Sequence, residues 1–225
     1  MRKIIVLLLL VTTALTVSAQ KYSPNTKWPY VYENFTEGTI FFEGNKKTKA
    51  QLNIHLLGNK LHYLADDGRI FTSDDKDVIR VEIGSDAYIY SDHKLVRIVA
   101  VDKTNLLVEL TKADFDALFT STGAYGASLN SSSSRDLSSL DLGGLENAEL
   151  GRMLQEKNDG RDIPLKKQYL FILGGKQIEA TKKSVESILN ADGQKDWKDF
   201  QKQNKIKWKN EESLSQVLTF ISSHM

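Results

Sequence analysis

The fold is decided by residues 50–65, which read AQLNIHLLGNKLHYLA. Apolar and polar side chains alternate on both sides of Gly58-Asn59, and a period of two is typical of half-buried β-strands. A Gly-Asn pair between two such runs predicts a two-residue hairpin turn. The turn places one set of side chains on the core face: Leu52, Ile54, Leu56, Leu61, Tyr63 and Ala65. On the opposite face, His55 would pair directly with His62.

Working outward, the same pattern extends from Gly38 to Thr111. Residues 78–83, VIRVEI, alternate strictly, and short apolar runs on both sides are separated by Gly, Asn and Asp turn signals. About eight strands joined by tight connections predict an antiparallel β-meander, either an open curved sheet or a partly closed barrel.

The C-terminal part predicts a further hairpin and three helices. Gly174-Gly175 stands between residues 168–173 and residues 176–179, which favours a second tight turn. Thr181 and Asn210 stand where helix N-caps are expected. The last helix carries an apolar stripe at the spacing of one helix face: Leu214, Val217, Leu218 and Ile221. The fold class is therefore α+β, with the helices packing on the sheet.

The first nineteen residues have the pattern of a secretory leader. Arg2 and Lys3 precede an apolar run over residues 4–15, and small side chains lead to an expected cleavage site between Ala19 and Gln20. The chain contains no cysteine, so the expected product carries neither a disulfide nor the lipid-bearing cysteine of a bacterial lipoprotein. We expect export without a membrane anchor, to a periplasm or to the extracellular space.

Composition divides the chain into four regions: the signal peptide over 1–19, a β-rich region over 20–112, a Ser/Gly-rich loop or linker over 113–160, and a hairpin with helices over 161–225. The third region contains Gly123, Gly126 and the run Ser131–Ser134. Such a stretch cannot bury enough apolar surface to offset its ordering entropy. We expect residues 121–144 to be flexible.

His55 and His62 are the candidate metal ligands. Two imidazoles side by side on a strand face can hold zinc or copper, but a stable site needs a third ligand and supporting hydrogen bonds. Without that ligand the pair consists of ordinary polar residues on a strand face, and this second interpretation is favoured. No other cofactor is expected.

The sequence lacks the familiar catalytic motifs. It contains no Gly-x-Ser-x-Gly elbow, no His-Glu-x-x-His and no phosphate-binding glycine loop. A glycosidase needs only two carboxylates, which a sequence alone does not exclude.

Two surface features allow a functional and a structural interpretation. Trp28, Tyr30 and Tyr32 could form a stacking surface, but aromatics near a mature N-terminus more often pin that segment to its domain. Six lysines surround Trp197 and Trp208: Lys195, Lys198, Lys202, Lys205, Lys207 and Lys209. They could bind an anionic polymer or an acidic partner, although the solvated face of amphipathic helices is the favoured interpretation. The formal net charge is only +1, so a nucleic-acid partner is not expected.

Several short segments resemble a group of exported, uncharacterised proteins of Bacteroidetes-type bacteria. They are Asn34-Phe35, Gly38-Thr39-Ile40, Ala50–Asn53, Val78–Gly84 and Gly123–Gly126. The resemblance implies an exported β-rich protein without an assigned activity, and it provides no site residues.

These observations favour an exported, non-catalytic binding or interaction protein of the bacterial cell envelope. Its partner would be an unidentified protein or an envelope ligand. A hydrolase that uses a metal or a carboxylate pair is the alternative, and a structural component of the envelope is the third possibility.

Overall fold

The computed structural model describes residues 25–26, 30–73, 76–114, 117 and 163–224. The expected leader, 1–19, and nearly all of the expected Ser/Gly-rich linker, 113–160, lie outside these residues.

Within the described residues, eleven strands form one antiparallel sheet with two open edges. The strands are β1 (Asn25–Thr26), β2 (Thr36–Phe42), β3 (Lys46–His55), β4 (Lys60–Leu64), β5 (Ile70–Thr72), β6 (Val78–Ile83), β7 (Asp86–Ser91), β8 (Lys94–Asp102), β9 (Asn105–Ala113), β10 (Ile163–Leu173) and β11 (Lys176–Glu179). Their order across the sheet is β5-β4-β3-β2-β6-β7-β8-β9-β10, and β1 and β11 both pair with β10. Three helices follow in the same part of the chain: α1 (Lys182–Ile188), α2 (Ala191–Gln203) and α3 (Glu211–Ser223). The predicted α+β class with an open, curved antiparallel sheet is confirmed.

The turn between β3 and β4 differs from the prediction. It spans residues 56–59 rather than two residues, so His55 pairs with Lys60 and His62 pairs with Asn53. The predicted direct pairing of His55 with His62 is therefore wrong. The physical reason is tertiary: the Asn59 amide donates to the Thr111 carbonyl at 2.6 Å, and the Asn59 carbonyl accepts from Leu95 N–H. Because the register moves by two residues, the face of each side chain is unchanged.

The sheet curls because β6 follows β5 in sequence but pairs with β2 on the far side of β3 and β4. Only residues 73–77 separate the two strands, yet Thr72 lies level with the start of β2 and Val78 pairs with Phe42 at its end. Because the connection must cross three strands and also run the length of β2, it can span the distance only when the sheet bends over itself. Gly38 permits the close approach of β2, since a Cβ there would lie 2.4 Å from the Glu82 carbonyl oxygen. The concave face holds the first apolar core: Val31, Ile40, Leu52, Ile54, Leu56, Leu61, Val78, Val81, Ile83, Tyr88 and Leu95.

The helices cover one face of the sheet around β8, β9 and β10. Trp197 is 1% exposed and packs among Phe200, Trp208 and Phe220. Both predicted caps are confirmed: Thr181 accepts from Ser184 N–H and Asn210 accepts from Ser213 N–H. The second apolar core consists of the helix stripes and the strand residues below them: Leu107, Tyr169, Phe171, Leu173, Ala180, Val185, Leu189, Trp197, Leu214, Val217, Leu218, Phe220 and Ile221. None of the helices in the described residues has the length and apolar character needed to cross a membrane.

Candidate functional site

A cleft of about 320 Å³ opens at the β5 end of the curled sheet. Its lining comes from β2, β3, β4 and the end of β5: Ile40, Phe42, Thr48, Ala50, Tyr63, Thr72 and Ser73. Strand alternation accounts for this set, because the residues between them, Phe41 in β2 and Lys49 in β3, point to the other face of the sheet. The lining is mostly apolar with a few hydroxyl-bearing side chains, which is the composition typical of a small-molecule site.

An exposed apolar shoulder continues the cleft. Phe71 lies directly opposite Tyr63 in the β4–β5 ladder, and their rings stack with centroids 5.6 Å apart. Phe71 is 37% exposed. The Arg69 guanidinium lies 5.2 Å from the Phe71 ring centroid, which is within cation–π range. The cleft wall therefore extends onto β5, at the open edge of the sheet.

The structure brings His55 and His62 together despite the changed register. Their rings stack with centroids 4.8 Å apart, as diagonal neighbours on one face of the sheet. The two nitrogens of His62 lie 3.1 Å from the Tyr30 and Thr72 hydroxyls. His55 Nδ1 donates to the Leu57 carbonyl at 3.2 Å.

Burial lowers the pKa of His62 to about 4, and the neighbouring His55 adds to the effect. The low pKa means that the His62 ring is neutral near neutral pH, and both of its nitrogens have hydroxyl groups as hydrogen-bond partners. In the part of the chain that the structure describes, no group of three His, Cys, Asp or Glu residues could hold a metal ion. The metal site at His55 and His62 thus stays a prediction.

The segment around Tyr30 and Tyr32 is pinned across β3, as the sequence suggested. Asn53, 1% exposed, accepts from Tyr32 N–H and donates to the carbonyls of Tyr32 and Asn34. The Tyr32 hydroxyl donates to Asp86 at 2.9 Å. Trp28, the third aromatic of this prediction, lies outside the described residues.

A buried charge network lies between the sheet and α3, and sequence reasoning missed it. Glu109, 1% exposed, accepts from Arg97 at 2.8 Å and from Thr111 at 3.0 Å, and it pairs with Lys167 at 2.9 Å. Arg97 also binds Glu211 in the first turn of α3. A signal for the network was present, since Arg97 and Glu109 each interrupt an apolar strand and face one another in the β8–β9 ladder.

Glu109 and Glu211 place two carboxylates in this network, as a hydrolase would need, but the pKa of Glu109 does not suit a general acid. Burial alone would raise the pKa of Glu109, yet the hydrogen bonds from Arg97 and Lys167 outweigh it and hold the pKa below its ordinary value. Burial, and then the charges of Glu109 and Glu211, raise the pKa of the Tyr169 hydroxyl. A general acid in glycoside hydrolysis needs a raised carboxyl pKa. The arrangement therefore suits a compensated structural ion cluster better than proton transfer.

No protein-family model, curated protein or solved structure matches this chain.

Proposed function

We propose that this protein is an exported, non-catalytic binding protein that holds a small apolar molecule in the cleft between β2 and β5. The observation that carries the proposal is the cleft itself. Its volume of about 320 Å³ is at the lower end of the range found for ligand pockets, roughly 300–1,000 Å³. A single ring system or a short acyl chain is the size of ligand that this volume admits.

Apolar contact supplies the binding free energy in this proposal. Ile40, Phe42 and Tyr63 present apolar surface to the cleft, and removing such surface from water is worth about 25 cal/mol per Å². The hydroxyl-bearing Thr48 and Ser73 add polar groups to the lining, which can orient a ligand that carries one polar substituent.

The walls of the cleft are held by the sheet and by the first apolar core. Ile40 is 4% exposed and belongs to that core, and Phe42, Ala50 and Tyr63 pack against it. A site built on paired strands loses little conformational freedom when a ligand enters, so more of the contact energy is available for affinity. This rigidity supports binding in the cleft.

Two sequence features support the remaining parts of the proposal. The leader pattern over residues 1–19 supports export. The absence of catalytic motifs from the sequence supports a binding role over catalysis, as do the neutral His62 and the compensated Glu109.

The test uses an uncharged fluorescent probe, N-phenyl-1-naphthylamine, with the purified protein. Thr48→Phe fills the cleft from an exposed position on β3, where a larger side chain does not strain the core. We expect the wild type to bind the probe and Thr48→Phe to bind it roughly tenfold more weakly, because the added ring occupies the apolar volume.

Ile79→Phe is the matched control, since Ile79 is exposed on β6 outside the cleft lining. It should bind the probe like the wild type, and both variants should keep the wild-type midpoint of thermal unfolding. Equal affinity in Thr48→Phe and the wild type would exclude the cleft as the site, and no probe binding by the wild type would overturn the proposal.

A further inference from the structure

The connection between α2 and α3 alternates between lysine and large apolar residues. Residues 204–210 read NKIKWKN. Ile206 and Trp208 are half-buried and pack against the second apolar core, whereas Lys205, Lys207 and Lys209 are exposed. Because the apolar side chains face inward, the three lysines of this short connection are exposed to solvent. We call these three residues the lysine ridge.

Hydrogen bonds hold the lysine ridge in place. Asn204, the C-cap of α2, donates from its backbone N–H and from its side chain to the Phe200 carbonyl, each at 2.9 Å. Lys207 N–H donates to Ser213 Oγ at 2.9 Å, and Asn210 N–H donates to the Lys207 carbonyl at 3.0 Å. The backbone beneath the lysines is therefore fixed to both flanking helices.

The charges of the lysine ridge are not compensated by ion pairs in the described part of the chain. The nearby carboxylates are mostly engaged elsewhere, since Asp199 pairs with Lys202 at 2.8 Å and Glu211 binds Arg97. Glu212, in the first turn of α3, is the remaining acidic neighbour in sequence. The ridge therefore carries three exposed positive charges on a hydrogen-bonded backbone, and Glu212 is its one sequence neighbour among the carboxylates of the described residues without an ion pair.

We propose that the lysine ridge is a second binding site, which takes a linear acidic polysaccharide. Lys205 and Lys207 flank the inward-facing Ile206 and precede the turn at residues 208–209, so their ammonium groups can each meet a separate anionic group along a polymer chain. The ammonium of lysine acts as a point charge with three donors, and it accepts sulfate, phosphate or carboxylate groups without demanding one geometry.

The surroundings of the lysine ridge favour a polysaccharide over a lipid surface or a nucleic acid. Interfacial membrane binding requires an exposed apolar face next to the basic residues, but Ile206 and Trp208 are turned toward the core. Binding of single-stranded nucleic acid combines a basic groove with exposed aromatic rings that stack on bases. Trp197 is buried and Trp208 is half-buried, so the ridge offers charge without such a platform.

The test measures binding of the purified protein to heparin as a model acidic polysaccharide, by calorimetry at several NaCl concentrations. We expect binding that weakens as salt increases, because counterions are released when charges pair. The variant carrying Lys205→Gln, Lys207→Gln and Lys209→Gln should bind roughly tenfold more weakly. On a plot of the logarithm of the binding constant against the logarithm of the NaCl concentration, its slope should be less negative by about one for each lysine removed.

The chain offers a matched control in Lys46, Lys47 and Lys49, which are exposed on β3. Changing these three to Gln removes the same charge from another surface and should leave heparin affinity unchanged. Equal losses in the two triple variants would show that total charge rather than the lysine ridge binds heparin, and would overturn the proposal.

Three other results would also contradict the assignment. Wild-type protein that binds heparin no better than uncharged dextran has no polyanion site. Binding to vesicles containing phosphatidylglycerol, or to oligothymidylate, as tight as binding to heparin would assign the ridge to lipid or to nucleic acid instead. The cleft is independent of this site, so Thr48→Phe should bind heparin like the wild type.

Discussion

At the scale of single residues, His62 shows how the fold uses a group that the sequence suggested for metal binding. Its ring is stacked on His55 and lies within hydrogen-bonding distance of the Tyr30 and Thr72 hydroxyls. Protonation would place a charge in a partly desolvated site beside a second imidazole. The ring therefore stays neutral well below its ordinary pKa of 6.5, and it joins β4, β5 and the segment that contains Tyr30.

The lowered pKa of His62 predicts a pH-dependent stability. Between pH 6.5 and about 4, the unfolded chain binds a proton at His62 that the folded protein does not bind, so the free energy of unfolding falls as the pH falls. The full contribution is present above pH 6.5. Allowing for screening of the part-exposed ring, we expect a loss of about 1–2 kcal/mol across this window.

Urea denaturation of the wild type and of His62→Gln at pH 7 and pH 4.5 checks this prediction. The wild type should lose more stability on acidification than the variant, by about the amount given. His93→Asn is the control because His93 is exposed and has a backbone φ of 58°, which asparagine tolerates. Identical pH dependence in the wild type and His62→Gln would contradict the assigned role.

At the scale of elements, the charge network fastens the last helix to the sheet. Arg97 comes from β8, Glu109 from β9 and Lys167 from β10, and Glu211 begins α3. A carboxylate in the first turn of a helix is also favoured by the helix dipole. Removing one member of such a buried cluster costs more than the pair itself contributes, because the remaining charges lose their compensation.

Arg97→Met should therefore destabilise the protein by about 3 kcal/mol in urea denaturation at pH 7, since Glu109 stays buried with less compensation. Arg80→Met is the matched control. Arg80 pairs with Glu82 at 2.7 Å, but both side chains are at least 40% exposed, so its loss should cost less than about 1 kcal/mol. Equal losses of stability in the two variants would show that the buried charge of Glu109 does not need Arg97 for its compensation.

The order of elements could be predicted because it depends on local patterns. Alternation identified β6 with the boundaries that the structure has, and Gly174-Gly175 forms the expected tight turn with both φ angles positive. The register of the β3–β4 hairpin could not be predicted, because a buried hydrogen bond from Asn59 to β9 widens its turn. Likewise, the cleft depends on the curl that brings the end of β5 near β2, which is a property of long-range pairing rather than of any one strand.

At the scale of the whole molecule, one sheet carries two large apolar cores and a third, smaller apolar cluster of Val96, Val108, Leu110 and Leu170. The first lies on the concave face of the curled strands, and the second lies under the helices. Strands β8 and β9 connect them: Leu95 of β8 belongs to the first core and Leu107 of β9 to the second. The ladder between these strands, which has one register shift between Ile98 and Ala100, should make the two large cores unfold together.

This coupling can be tested by a destabilising substitution in the first core, with unfolding of the second core as the measurement. Leu52 is fully buried in the first core, and Leu52→Ala should cost about 2–5 kcal/mol. Trp197 and Trp208 both belong to the second core, so in a Trp28→Phe background tryptophan fluorescence reports on the helices alone. If the sheet transmits the loss, the fluorescence transition and the far-ultraviolet circular dichroism transition should move together to lower urea. A fluorescence midpoint that stays in place while the dichroism midpoint falls would mean that the curled sheet and the helix-covered sheet unfold as separate units.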